Sequence, residues 1–218
     1  MMKIIYTLLF ALILPVQSVT AQEITTAPPA ATSVDNRLKQ FLADLDTFNA
    51  DFEQTLFNEF DEVLESSSGQ VTLMRPGKFY WAYTQPYTQY LISDGKDLWI
   101  YDEDLEQVTV SSVSNSIEKS PASVLAGDTD LNDDYIITDL GTLDGADWVE
   151  LASADPESQY NSIRIGFNGN DLAGMILFDN LGQTTRIIFS NGKRNTTVDT
   201  TLFDFKPPAG IDVIDNRE

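Results

Sequence analysis

Thirty-four aspartates and glutamates stand against thirteen lysines and arginines, and the chain has neither histidine nor cysteine. Carboxylates are therefore the plentiful candidates for any proton transfer. Asp102, Glu103 and Asp104 are the densest candidates, because glycoside cleavage uses two such groups, one of them held protonated by a desolvating environment. The run follows a strand end and reads as an exposed turn, where burial cannot tune a carboxyl group. Asp128, Asp130 and Asn132 fall at positions 1, 3 and 5 of a calcium loop. Asp133, however, stands where that loop needs glycine, and Asp139 where it needs a bidentate Glu. A solvated connection uses the same residues. Without histidine or cysteine, Ser-His and Cys-His nucleophiles and the common zinc sites are excluded. The sequence points to no catalytic residue, no metal and no cofactor.

The remaining polar group of interest is Arg75, set among aromatics in V-T-L-M-R-P-G-K-F-Y-W-A-Y over residues 71–83. Side chains two apart in a strand share a face. Val71, Leu73 and Arg75 therefore point one way, and Phe79, Trp81 and Tyr83 share a face of the next strand. An arginine on an apolar face is costly unless it is paired or hydrogen-bonded. The alternative is a surface arginine at a strand end before Pro76, and spacing alone leaves both readings standing.

The elements that must position these residues are mostly strands. Val34, Leu38, Phe41, Leu42 and Leu45 form one apolar stripe at helical spacing, which predicts a helix over residues 33–45 capped by Ser33 or Asp35. Alternation of period two follows, with Phe48, Ala50 and Phe52 on one face of the first strand. Turn signals stand at Asp94-Gly95, Asn168-Gly169-Asn170, Asn180-Leu181-Gly182 and Asn191-Gly192. About ten or eleven strands at this spacing read as one antiparallel sheet, strongly curved or nearly closed. Ser120, Pro121 and Gly127 bracket a short inserted helix. A single curved sheet has no second sheet to fill its concave side, so side chains, helices or a ligand must. Its mouth is the place where two helices would bury their apolar sides.

Residues 1–21 read as a cleaved signal peptide: Lys3, an apolar stretch over residues 4–16, and Val19-Thr20-Ala21 before the cut. The apolar run is short of the ~20 residues that a spanning helix needs. Residues 22–32 are a Pro/Ala/Thr linker, and residues 33–218 one domain. Losing Lys3 leaves 12 basic and 34 acidic residues, a net charge of −22. Such a charge repels nucleic acid and anionic headgroups and disfavours stable membrane insertion.

Several ordered segments carry a resemblance to a known family. F-N-A-D-F-E-Q at 48–54 and R-P-G-K-F-Y-W at 75–81 are followed by Gln85-Pro86, Ser93-Asp94-Gly95, Leu98-Trp99 and Tyr101-Asp102. D-N-L-G-Q at 179–183 and F-D-F-K-P-P-A-G-I-D-V at 203–213 close the series. Together they resemble the periplasmic lipoprotein carrier (LolA) family from about Asn36 to Asp215. The resemblance implies an incomplete, unclosed antiparallel β-barrel with a small α-helical lid over a hydrophobic cavity. It implies a monomeric periplasmic chaperone, not an enzyme. Such a carrier takes triacylated lipoproteins from an inner-membrane ABC transporter and delivers them to an outer-membrane receptor. Arg75 corresponds to the family's arginine that hydrogen-bonds the lid, which would comprise residues 33–45 and 117–126. The acyl-chain cavity would be lined by Leu38, Leu42, Phe48, Phe52, Phe79, Trp81 and Trp99. A lipid- or lipoprotein-sensing module on the same scaffold is the alternative.

N-terminal sequencing of the exported protein is expected to read from Gln22; a mature chain still starting at Met1 would rule out cleavage.

Overall fold

A computed structural model describes residues 34–113, 121–127, 131 and 134–217. The expected signal peptide and linker lie outside these residues, as do residues 117–120 of the expected lid and most of the calcium-like loop. Helix α1 (Val34–Ala43) leads into a meander of six strands: β1 (Thr47–Phe57), β2 (Val63–Met74), β3 (Lys78–Gln85), β4 (Gln89–Asp94), β5 (Asp97–Asp102) and β6 (Gln107–Ser112). After α2 (Pro121–Ala126) a second meander runs through β7 (Tyr135–Leu143), β8 (Ala146–Ser153), β9 (Tyr160–Asn168), β10 (Asp171–Asp179) and β11 (Thr184–Arg194). A 3₁₀ turn at Thr200–Phe203 precedes β12 (Asp212–Asn216).

All twelve strands form one open sheet, ordered β12-β6-β5-β4-β3-β2-β1-β11-β10-β9-β8-β7. The two meanders meet where β1 pairs with β11. Register then decides which side chains share the concave face. Phe48, Leu73, Phe79 and Ser93 stand side by side across β1 to β4, followed by Ala50, Val71, Trp81 and Leu91. The second meander adds Val149, Leu151, Ile163, Ile165, Met175 and Ile187 to the same buried cluster. Both helices lie on it: α1 packs against β7 and β8, and α2 against β2 and β3.

The opposite face of β3 to β6 carries a second, smaller apolar layer. Ile92, Val108 and Val110 are buried there beneath Phe203 and Phe205 of the C-terminal segment. Tyr90 and Tyr101 stack at 5.8 Å, and Phe205 lies 5.8 Å from Tyr101. By covering this face the segment also delivers β12, which pairs with β6 in parallel. Among the described residues that strand is the twelfth, and its pairing with β6 is the one parallel pair in the sheet. The reason is that the segment reaches the β6 edge by crossing the outer face, where no hairpin can form.

Asn191-Gly192, expected as a turn, instead lies inside β11. The register slips between Asn49 and Asp51, and Asn191 adopts φ +55°. Its amide donates to Asp51 at 2.7 Å while Gln70 donates at 2.9 Å, and these hydrogen bonds hold the Asp51 carboxyl below its usual range. The dipeptide thus makes a bulge, the other structure that tolerates a left-handed residue.

Gly69 is the tightest point of the sheet. It stands between Phe52 on β1 and Tyr83 on β3, whose rings meet edge-on at 5.2 Å across the missing side chain. A Cβ at this position would fall 1.8 Å from the Ala82 carbonyl oxygen. Backbone cannot yield as a side chain can, so Gly69→Ala is expected to destabilise the fold by ~2 kcal/mol or more, read as a lower urea midpoint.

Candidate functional site

The turn between β2 and β3 holds the end of α2. Arg75 Nη1 donates to the Leu125 carbonyl at 2.7 Å, and Gly77 N donates to the Ala126 carbonyl at 2.6 Å. These are the carbonyls that a helix leaves unsatisfied at its C-terminus, where the backbone dipole also favours a cation. The turn is itself anchored. Arg75 N donates to the Asp46 carbonyl at 2.8 Å, and Ser93 Oγ to the Gly77 carbonyl at 2.8 Å. Gly77 has φ +74°, and a Cβ there would stand 3.1 Å from Gly95 Cα, so the two turns pack backbone to backbone.

Below these contacts lies the apolar surface that the helices cover. Leu38, Leu42, Phe48, Phe52, Phe79 and Trp81 belong to one continuous cluster, all essentially buried. Phe52 and Trp81 rings lie 4.7 Å apart, and Phe48 meets Phe189 edge-on at 5.8 Å. From α1, Phe41 reaches Phe167 at 5.2 Å, and the Arg194 guanidinium covers its ring at 5.3 Å. Arg37 pairs with Asp147 at the start of β8, tying α1 to the second meander. Trp81 Nε1 is buried and has no hydrogen-bond partner among the described residues.

Trp99 is not part of this surface. Its neighbour in register is Ile92, which pairs with Tyr80, so Trp99 points to the outer face, 6.3 Å from Phe205. Leu98 takes the concave position, beside Ser93 and hence Phe79. Both faces of β5 bury apolar residues, and alternation cannot choose between two such faces. The expected list also omits Val71, Leu73 and Phe189, which belong to the same buried cluster, and Tyr83, which packs against it. Val71 and Leu73 were legible from their parity with Arg75. Phe189 depends on the β1–β11 pairing, which joins residues far apart in the chain.

At the end of the concave face remote from the helices is an open cavity of about 580 Å³. Tyr83 and Gln54 form its inner wall, joined by a 3.0 Å hydrogen bond from the phenol. Glu65, Asp102, Asp104 and Leu105 stand in its lining. Asp102 accepts from Leu105 N at 3.0 Å and so shapes the β5–β6 turn. Asp102 and Asp104, two of the three carboxylates first considered for acid–base work, thus line a cavity whose wall also holds Glu65, amides, hydroxyls, two tyrosines, Pro86 and Leu105, whereas Glu103 is not in its lining.

Comparison with known proteins agrees with this geometry. Residues 43–206 match the family model described as outer membrane lipoprotein carrier protein LolA. An outer-membrane lipoprotein carrier protein of Methylococcus capsulatus is 42% identical over 191 residues, covering 88% of this chain and 92% of that protein. Another, from Chromobacterium violaceum, is 39% identical over 188 residues, covering 86% and 90%. Among solved structures, an uncharacterized conserved protein from Thermus thermophilus shares the fold with a TM-score of 0.52 at 12% identity, covering 83% of this chain and 96% of that one.

Tyr83 reports on the inner wall through its acidity. Burial pushes the phenol up to about 12, outweighing the hydrogen bond to Gln54. Between pH 10 and 12 the unfolded chain releases this proton while the folded chain keeps it, so stability falls as pH rises through that window. The loss should reach roughly 2–3 kcal/mol. Urea unfolding at about pH 9 and about pH 12 should show a smaller drop for Tyr83→Phe than for the unaltered protein.

Proposed function

The chain belongs to the family of outer membrane lipoprotein carrier proteins (LolA), and we propose that it shields the acyl chains of triacylated lipoproteins during their passage across the periplasm. It receives them from an inner-membrane ABC transporter and yields them to an outer-membrane receptor, entering the periplasm by cleavage of residues 1–21 and working as a monomer. The observation that carries the reading is a concave apolar face whose cover is two short helices, one of them tied to the sheet at its C-terminus. The mature chain's net charge of −22, from 12 basic and 34 acidic residues, keeps the carrier off anionic membranes while it works.

Energetics explain why a cover is needed. Each buried CH₂ is worth ~0.8 kcal/mol, so a chain of about sixteen carbons is worth roughly 12 kcal/mol. Two or three such chains would exceed the practical limit of about −18 to −21 kcal/mol for reversible binding. Cargo held that strongly would never leave. Leu38, Phe41 and Leu42 of α1, Leu45 just beyond it, and Val124 and Leu125 of α2 are buried. Fully burying a side chain of this kind contributes roughly 1.5–3 kcal/mol. Displacing all six therefore costs on the order of 10 kcal/mol. That cost offsets much of the cargo's affinity and leaves it transferable to a receptor that binds more tightly.

Arg75 is the latch in this scheme. Its bond to Leu125 favours the covered form, and cargo must break it. Hydrogen bonds to charged groups contribute ~1.5–3 kcal/mol, so Arg75→Leu should raise the cargo-loaded fraction and slow release to the receptor by roughly tenfold or more. Transfer of labelled lipoprotein from carrier to receptor-bearing liposomes measures this, and unchanged kinetics would remove the latch from the mechanism.

A further inference from the structure

The cavity at the remote end of the concave face has a size and a charge that the carrier reading does not use. An apolar cavity of ~150 Å³ accommodates the six carbons of benzene, about 25 Å³ per carbon. By that measure 580 Å³ holds one acyl chain of about sixteen carbons, and not two. This space exists while α1 and α2 still cover the rest of the apolar face. Its mouth combines exposed apolar groups, Tyr87 and Leu105 at 68% and 70% exposure, with the carboxylates of Glu65, Asp102 and Asp104. Among the described residues no lysine or arginine lines it, and none forms an ion pair with these three carboxylates.

We propose that this cavity is a single-chain subsite that selects the group at the head of the chain by charge. It admits an alkyl chain carrying a cationic head and disfavours one carrying an anionic head. Resting on the carrier reading, this names the cargo it favours: an acylated terminus with lysine or arginine among the residues beside it. Free fatty acids and anionic phospholipids, the abundant competitors in a membrane, are turned away at the same mouth. The physical basis is that three carboxylates beside a low-dielectric wall attract a cation and repel an anion over the same few ångströms, with little counterion screening at low salt.

The test uses three amphiphiles with similar tails, tetradecyltrimethylammonium, tetradecyl maltoside and tetradecanoate, each below its critical micelle concentration. Calorimetry with the mature protein should give one bound molecule per chain. The cation should bind at least about tenfold more tightly than the anion at ~10 mM ionic strength, with maltoside between them. In the triple variant Glu65→Gln, Asp102→Asn, Asp104→Asn the cation-to-anion ratio should fall severalfold, with circular dichroism unchanged. Asp144→Asn, Glu157→Gln and Asp171→Asn together remove the same net charge from exposed positions outside this cavity and should leave the ratio near its original value. Equal affinities for cation and anion, a ratio that falls equally in both triple variants, or two chains bound per protein would overturn the proposal. Lipoprotein transfer that proceeds normally alongside any of those results would leave the carrier reading standing. Charge-selective binding by a protein that transfers no lipoprotein would overturn the carrier reading alone.

Discussion

Everything in this fold answers to one constraint: a single open sheet has an apolar concave face and no second sheet to bury it. Twelve strands are enough to curve around a core, yet β7 and β12 remain separate edges. In a sandwich the facing sheet would fill the hollow permanently. Here α1 and α2 fill it, and neither is long; α2 spans six residues. A helix of that length has little stability of its own, so its place depends on the apolar contacts of Val124 and Leu125 and on the polar ties at its end. The cover is therefore held by interactions that a sufficiently apolar competitor can replace.

The character of the ties follows from the same constraint. A guanidinium on an apolar surface needs acceptors, and a helix C-terminus offers carbonyls that need donors. Arg75 and the end of α2 each resolve the other's deficit, and Gly77 adds a backbone donor to the next carbonyl. When the pair separates, both deficits return unless water or cargo meets them. This makes the contact worth keeping in the covered form without making it so strong that the cover cannot open.

The outer face shows what permanent burial looks like in the same molecule. The C-terminal segment lays Phe203 and Phe205 on β3 to β6 and then joins the sheet as β12. It is held by backbone ladder bonds, and Arg217 adds a 3.1 Å ion pair to Asp97. A cover of this kind belongs to the scaffold. The concave side, by contrast, ends in an open cavity beyond Tyr83 whose carboxylates face solvent. One sheet thus has a face covered by a strand-forming segment and a face covered by two short helices.

Local pattern determined much of this protein. The apolar stripe of α1, the alternation of β1 to β3 and the residue types around Pro121 and Gly127 are properties of a few adjacent residues, and the elements form where those residues place them. The carriage of Phe48, Phe52, Phe79 and Trp81 on common faces was legible for the same reason, since strand parity has period two. The ordered motifs identified the family before any contact was known. Only the tertiary structure decided the rest. Trp99 went to the outer face because apolar residues lie on both sides of β5 and the choice rests with β4, β6 and Phe205. Asn191-Gly192 became a bulge because Asp51, 140 residues earlier, accepts from it. The Leu125 carbonyl meets Arg75 across 50 residues, and the remote cavity draws Gln54, Tyr83 and Asp104 from separate strands and turns. Alternation is a local property, whereas register, face and partner depend on residues that meet only when the sheet closes around its helices.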